Sequence, residues 1–155
     1  MLDMADWKQL EPAITEVLGK LPDNAYLAIR SNACLMQFAA LEGGAGRVLR
    51  AEVCRDSPED EPRLRDRGWE LVDTWSGLWR RDIPAGSDRD AQQALVRESI
   101  NALRLSFGVQ QPEGFTYLSW QESPPKVGWQ FWKSGEDKDL QWADLGLPKG
   151  KDKAD

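Results

Sequence analysis

From Trp7 through Leu10, Ile14, Val17 and Leu18 to Leu21, apolar residues recur at three- and four-residue steps, the spacing of one helical face. The pattern predicts a helix over residues 5–21. Pro12 complicates it, because an interior proline removes a backbone donor and costs roughly 3 kcal/mol. Either the regular helix starts near Glu11 or it kinks there. Pro22-Asp23-Asn24 then reads as a stop and turn.

Strand signals follow over 25–30, 33–41 and 47–54, the last two separated by the glycine cluster Gly43-Gly44-Ala45-Gly46 of a hairpin. A turn centred near Gly44 sets Leu35 opposite Val53 and Ala39 opposite Leu49 as one apolar face. The same register pairs Phe38 with Arg50, Met36 with Glu52 and Cys34 with Cys54 on a mixed face, the expected contact surface. Residues 55–67 break the pattern with dense charge and read as a solvated connection, or as one short helix anchored by Leu64. Stretches 68–73 and 78–83 resemble a second hairpin carrying Trp69, Trp75 and Trp79, large rings suited to a half-buried sheet.

A long helix is predicted over 88–107. Ser87 and Asp90 have capping-box spacing, and Gly108 supplies the stop. Its apolar residues fall on two sides, with Ala91, Leu95 and Leu105 on one and Val96, Ile100, Leu103 and Phe107 on the other. One side suits a sheet; the second suits either the N-terminal helix or another chain, so a homodimer is among the expectations. Gln93, Arg97, Asn101 and Arg104 form the polar strip, read as a solvated face with contact to an acidic partner as the alternative. A last strand spans 115–120. The fold class expected is α+β, an antiparallel sheet covered by the helices at 5–21 and 88–107. The expected organisation is a domain over 1–121 and an aromatic-rich tail over 122–155. Trp129, Phe131 and Trp132 are expected to dock on the protein or a partner, and residues from Lys149 onward to be free.

Composition narrows the chemistry. The 155 residues contain no histidine, which removes imidazole bases, serine–histidine relays and histidine metal ligands. A net charge of −6 argues against a nucleic-acid partner held through phosphates. No apolar run reaches the length of a membrane span, and the acidic start Met1-Leu2-Asp3-Met4 lacks the features of a signal peptide. A cytoplasmic protein with no membrane partner and no cofactor is expected. Two cysteines are too few for a structural zinc site and read as small core residues. Carboxylates are plentiful, but Asp56, Glu59, Asp60, Glu61 and Asp66 sit in the charged connector; a hydrolytic or redox enzyme using carboxylates or Cys34 and Cys54 is the alternative reading. Trp75-Ser76-Gly77 matches the W-x-G tripeptide of certain small secreted helical proteins, yet its flanks read as strands and the match is treated as chance.

The ordered pieces Asp6-Trp7, Met36-Gln37-Phe38-Ala39, Leu49-Arg50-Ala51-Glu52-Val53, Gly68-Trp69, Trp79-Arg80-Arg81 and Asn101 to Val109 carry a resemblance. Over residues 6–120 the chain resembles the chaperone-like family related to type III secretion chaperones and bacterial YbjN proteins, actinobacterial members in particular. The resemblance implies helices on one face of an antiparallel sheet. It also implies a non-enzymatic protein or peptide binder that shields or delivers a client, with dimerisation common. The residues singled out for partner binding are Met36, Phe38, Arg50, Arg97, Ile100, Arg104, Trp129, Phe131 and Trp132.

Overall fold

The computed structural model describes residues 6–32, 34–43, 46–55, 61–72, 77–84, 86–112, 114–122 and 137–150. Helix α1 (Trp7–Lys20) is followed by strands β1 (Ala25–Arg30), β2 (Cys34–Gly43) and β3 (Gly46–Arg55). Then come α2 (Glu61–Asp66), β4 (Glu70–Leu71), β5 (Leu78–Pro84), α3 (Arg89–Asn101), β6 (Thr116–Gln121) and β7 (Lys138–Asp139). The strands form one sheet in the order β4-β5-β3-β2-β1-β6-β7, every neighbouring pair antiparallel. The α+β architecture is the one the periodicities predict.

Asp6 caps α1 by accepting from the Gln9 N–H at 2.8 Å, and the helix runs through Pro12 without a break. Pro12 lies past the first turn, so its missing donor forfeits a bond to the Lys8 carbonyl, a loss that the buried apolar face of the helix offsets. Trp7, Leu10, Ile14, Val17 and Leu18 are all buried, and Trp7 meets Phe115 edge-to-face at 5.6 Å between ring centroids. In α3 the cap is Asp88, which accepts from the Ala91 N–H at 2.9 Å. Ser87, the expected cap, sits one residue too early, and its carbonyl instead accepts from the Gln92 side chain.

The long helix is not α-helical to its end. Residues Ala102–Ser106 wind as a π-helical turn in which the Phe107 N–H reaches the Ala102 carbonyl. Leu103 and Phe107 point into the core, Leu105 is carried outward to 55% exposure, and Gly108 ends the element at φ 77°. α2 stands where a solvated connection was the favoured reading, and Leu64 is its buried anchor.

The hairpin register differs from expectation by one residue. Gly43 pairs with Gly46, so Met36 lies opposite Val53, Phe38 opposite Ala51 and Ala40 opposite Leu49. A one-residue slip exchanges the faces of a strand. The register found puts Met36, Phe38, Ala40, Leu49, Ala51 and Val53 into one core with the helices, where the expected one would have set Phe38 against Arg50. Cys34 therefore faces the core side and Cys54, opposite Leu35, the other side; no disulfide joins them. Adjacent strands do not bring them together.

Residues 137–150 are built into the same fold. β7 pairs with β6, Leu145 is 2% exposed within the core, and Leu140, Trp142 and Leu147 pack against it. Lys149 and Gly150, expected to be free, are held by β6: Lys149 bridges Tyr117, and the Gly150 N–H donates to the Tyr117 carbonyl at 2.7 Å.

α1 and α3 are clasped by Glu11, which accepts from Gln93 at 2.9 Å and pairs with Arg97 at 3.2 Å. Burial pushes the Glu11 carboxyl up, but the hydrogen bonds from Gln93 and Arg97 and the Arg97 charge outweigh it and hold the group below its ordinary 4.5. A depressed folded value means the clasp's stabilisation is full above the unfolded value and is lost as pH falls through the folded one. Wild-type stability should accordingly decline on acidification below about pH 4.5. Glu11→Gln should flatten that decline in denaturant titrations run at successive pH values. An unaltered acid slope in the variant would place the titrating group elsewhere.

Candidate functional site

Strand alternation gives the sheet two unlike faces. The helical layer covers Leu27, Ile29, Met36, Phe38, Val53 and Trp79. The opposite set of side chains, from Tyr26, Ala28, Gln37, Ala39, Arg50, Glu52, Arg80, Asp82, Leu118 and Trp120, faces away from those helices. Ala28, Ala39 and Leu118 are buried yet stand outside the core cluster, so this face has an apolar floor of its own.

Cross-strand pairing organises that floor. Ala28 lies between Leu118 and Gln37, and Ala39 between Tyr26 and Arg50. Ala28 and Ala39, at 5% and 2% exposure, form a low strip between larger neighbours. Its wall at β1 and β6 is the Tyr26–Trp120 pair, stacked at 5.1 Å and 12° between ring planes. Burial pushes the Tyr26 phenol up, and a hydrogen bond to Glu122 and the charges of Glu122 and Glu52 add to it, reaching about 12. The hydroxyl therefore stays a proton donor at any physiological pH.

The wall at β3 and β5 is ionic. Arg50 holds Asp82 through two bonds, at 2.9 and 3.1 Å. Arg80 holds Glu52 at 2.9 Å, and the Gln37 amide donates to the same carboxylate at 3.4 Å. These charges are matched within the wall, so the face carries little net charge of its own. It is a binding surface with fixed dipoles and an aromatic rim, and its residues show no nucleophile–base arrangement. Among the described residues no cluster of three or more histidine, cysteine, aspartate or glutamate side chains is placed to hold a metal.

The expected site residues scatter over this plan. Arg50 lies on the helix-free face. Met36 and Phe38, at 0% and 1% exposure, belong to the core because of the register shift. Ile100, at 3%, is likewise core, since α1 packs on the second apolar side of α3. Arg97 serves the α1–α3 clasp, Arg104 is exposed on the π-helical turn, and Trp129, Phe131 and Trp132 lie outside the described residues. Tyr26, Trp120, Gln37 and Ala39 were not singled out from the sequence. The β2 alternation of Met36, Phe38 and Ala40 with Gln37 and Ala39 was the signal that could have found them.

The sequence profile of the family described as T3SS (YopN, CesT) and YbjN peptide-binding chaperone 3 matches residues 3–121. The chain belongs to this family. The family is described as one of peptide-binding chaperones, and the matched stretch runs from α1 to the end of β6. Neither a curated protein nor a solved structure matches the chain. No helix among the described residues is long and apolar enough to cross a membrane.

Proposed function

We propose that this family member holds a segment of a partner protein against the helix-free face, acting by binding alone and shielding that segment until it is handed on. The observation that carries the reading is the helix-free face itself, where the Tyr26–Trp120 stack and the Arg50–Asp82 and Arg80–Glu52 pairs flank the low apolar strip of Ala28, Ala39 and Leu118. Aromatic residues beside a desolvated floor are the usual anchors of peptide affinity. Five strands from β5 to β6 at the usual spacing give a width of roughly 20 Å, enough for about six extended residues laid across them. Matched ionic pairs on one side and apolar surface on the other favour a client segment of mixed character and low net charge.

The resemblance to secretion chaperones supports a client kept for export, and two cysteines not joined in a disulfide suit a reducing cytoplasm. The alternative, carboxylate or cysteine chemistry, has no assembled site among the described residues to support it. A homodimer, if formed, needs a surface other than the Ile100 side of α3.

An array of short random-sequence peptides probes the reading. Tyr26→Ala is expected to weaken the retained peptides about tenfold or more, while costing only about 1–2 kcal/mol of stability. Tyr26→Phe keeps the stack with Trp120, loses the hydrogen bond to Glu122 and should bind close to wild type. A folded Tyr26→Ala protein with undiminished peptide binding would remove the face from consideration.

A further inference from the structure

We infer that the outer edge of β6, with the socket beside α1, is a second peptide site that the chain's own residues 137–150 fill in cis. A partner segment of the same pattern takes it by exchange. The family match ends at residue 121, yet the edge of its last strand is completed by residues beyond that limit.

Residues 137–150 sit on β6 in the manner of a bound peptide. Only Lys138 and Asp139 pair as regular strand. Beyond them the Leu140 N–H donates to the Ser119 carbonyl at 2.9 Å, and the Tyr117 N–H donates to the Pro148 carbonyl at 3.0 Å. Backbone bonding to a sheet edge supplies affinity in this mode, and side-chain sockets supply specificity. The sockets are distinct. Leu145 is buried against the core, and Trp142 is read by two hydroxyls: its backbone N–H donates to the Tyr117 hydroxyl at 2.9 Å and its indole N–H to Ser119 Oγ at 2.8 Å.

Ser119 bonds across strands, whereas the buried Thr15 and Ser99 hydroxyls bond carbonyls of their own helices. Ser119 donates to the Tyr26 carbonyl at 2.6 Å, which leaves its lone pairs for an incoming donor. A surface groove of about 600 Å³ runs between α1 and residues 141–145, lined on the helix side by Gln9, Pro12, Ala13, Glu16, Val17 and Lys20, and it gives a competing segment room to approach.

The occupant states the chemistry of its competitor: a segment extended up to a leucine, an aromatic N–H donor two residues on, and a short 3-10 turn that delivers a leucine three residues further, as in Leu140, Trp142 and Leu145. A tethered occupant acts at an effective concentration of about millimolar, so it screens out weak ligands and yields to a tighter one. The two sites share β6, since Trp120 pairs with Asp139 and Gly150 lies beside Leu118, but the Tyr26 side chain on β1 belongs to the helix-free face, and its substitution tells the two readings apart.

Two measurements on the full chain decide the matter. In native-state hydrogen exchange the Leu140 and Gly150 amides are expected to exchange at least about a hundredfold faster than that of Leu27 in β1, through a local opening. Exchange of all three at one rate would make residues 137–150 a fixed part of the fold and overturn the inference. The second probe is a fluorescein-labelled synthetic peptide of residues 137–150. Leu145→Asp in the full chain is expected to raise its affinity about tenfold or more over wild type, and Trp142→Ala in the peptide to abolish binding. Tyr26→Ala in that same chain should leave this affinity unchanged. An unfolded Leu145→Asp chain, or a folded one with no gain in peptide binding, would equally overturn it.

Discussion

Phe38→Ala is expected to destabilise the protein by about 3–5 kcal/mol, a large share of the roughly 5–15 kcal/mol that holds a typical domain. Phe38 is 1% exposed in the middle strand of the sheet, opposite Leu27 on β1 and Ala51 on β3. Truncation removes the apolar burial of the ring and leaves a cavity that a small neighbour such as Ala51 cannot fill. The next residue supplies the control. Gln37 lies on the helix-free face with its amide on Glu52, and Gln37→Ala should cost no more than about 1 kcal/mol. In the register read from the sequence the two costs would be exchanged in rank. Urea titrations of the two variants therefore report which face each residue occupies.

Ile100→Glu should be more damaging still. Ile100 is 3% exposed in α3, inside the cluster that also holds Leu10, Leu95 and Leu103. A carboxylate there is withdrawn from water among apolar side chains, and burial of an unpaired charge costs more than about 4 kcal/mol. The group would evade part of the cost by taking up a proton. The variant's stability is thus expected to recover somewhat at acid pH and to fall as pH rises, opposite to the Glu11 effect. Circular dichroism with light scattering checks this. Were Ile100 on a free subunit-contact surface, the variant would remain folded with near-parent stability and only its mass would change.

The contrast between these residues explains what could be read in advance. Long periodic segments were legible: α1 from Trp7 to Leu18, and the order of strands and helices through Trp120. The binding face was not, because it depends on a register, and the glycine-rich turn gave no unique centre. Placing the turn at Gly44 instead of between residues 44 and 45 moved Phe38 and Met36 to the wrong face and hid Gln37 and Ala39. The π-helical turn at Ala102–Ser106 escaped notice for a related reason, since its hydrogen bonds reach one residue further than the α-helical period assumes. Residues 137–150 lacked periodicity of either kind. Their order comes from Ser119, Tyr117 and the socket for Leu145, which are tertiary partners no local pattern announces.

The helix-free face as a peptide platform is the central claim, and its most direct test is a map of where a peptide lands. Nitrogen-labelled protein titrated with the tightest peptide from the array should show shifts of the Trp120 indole, the Gln37 side-chain amide and the Arg80 Nε resonance. The backbone amides of α1 and α3 should stay in place. Shifts confined to α1 and α3, with those three side-chain signals unmoved, would contradict the account.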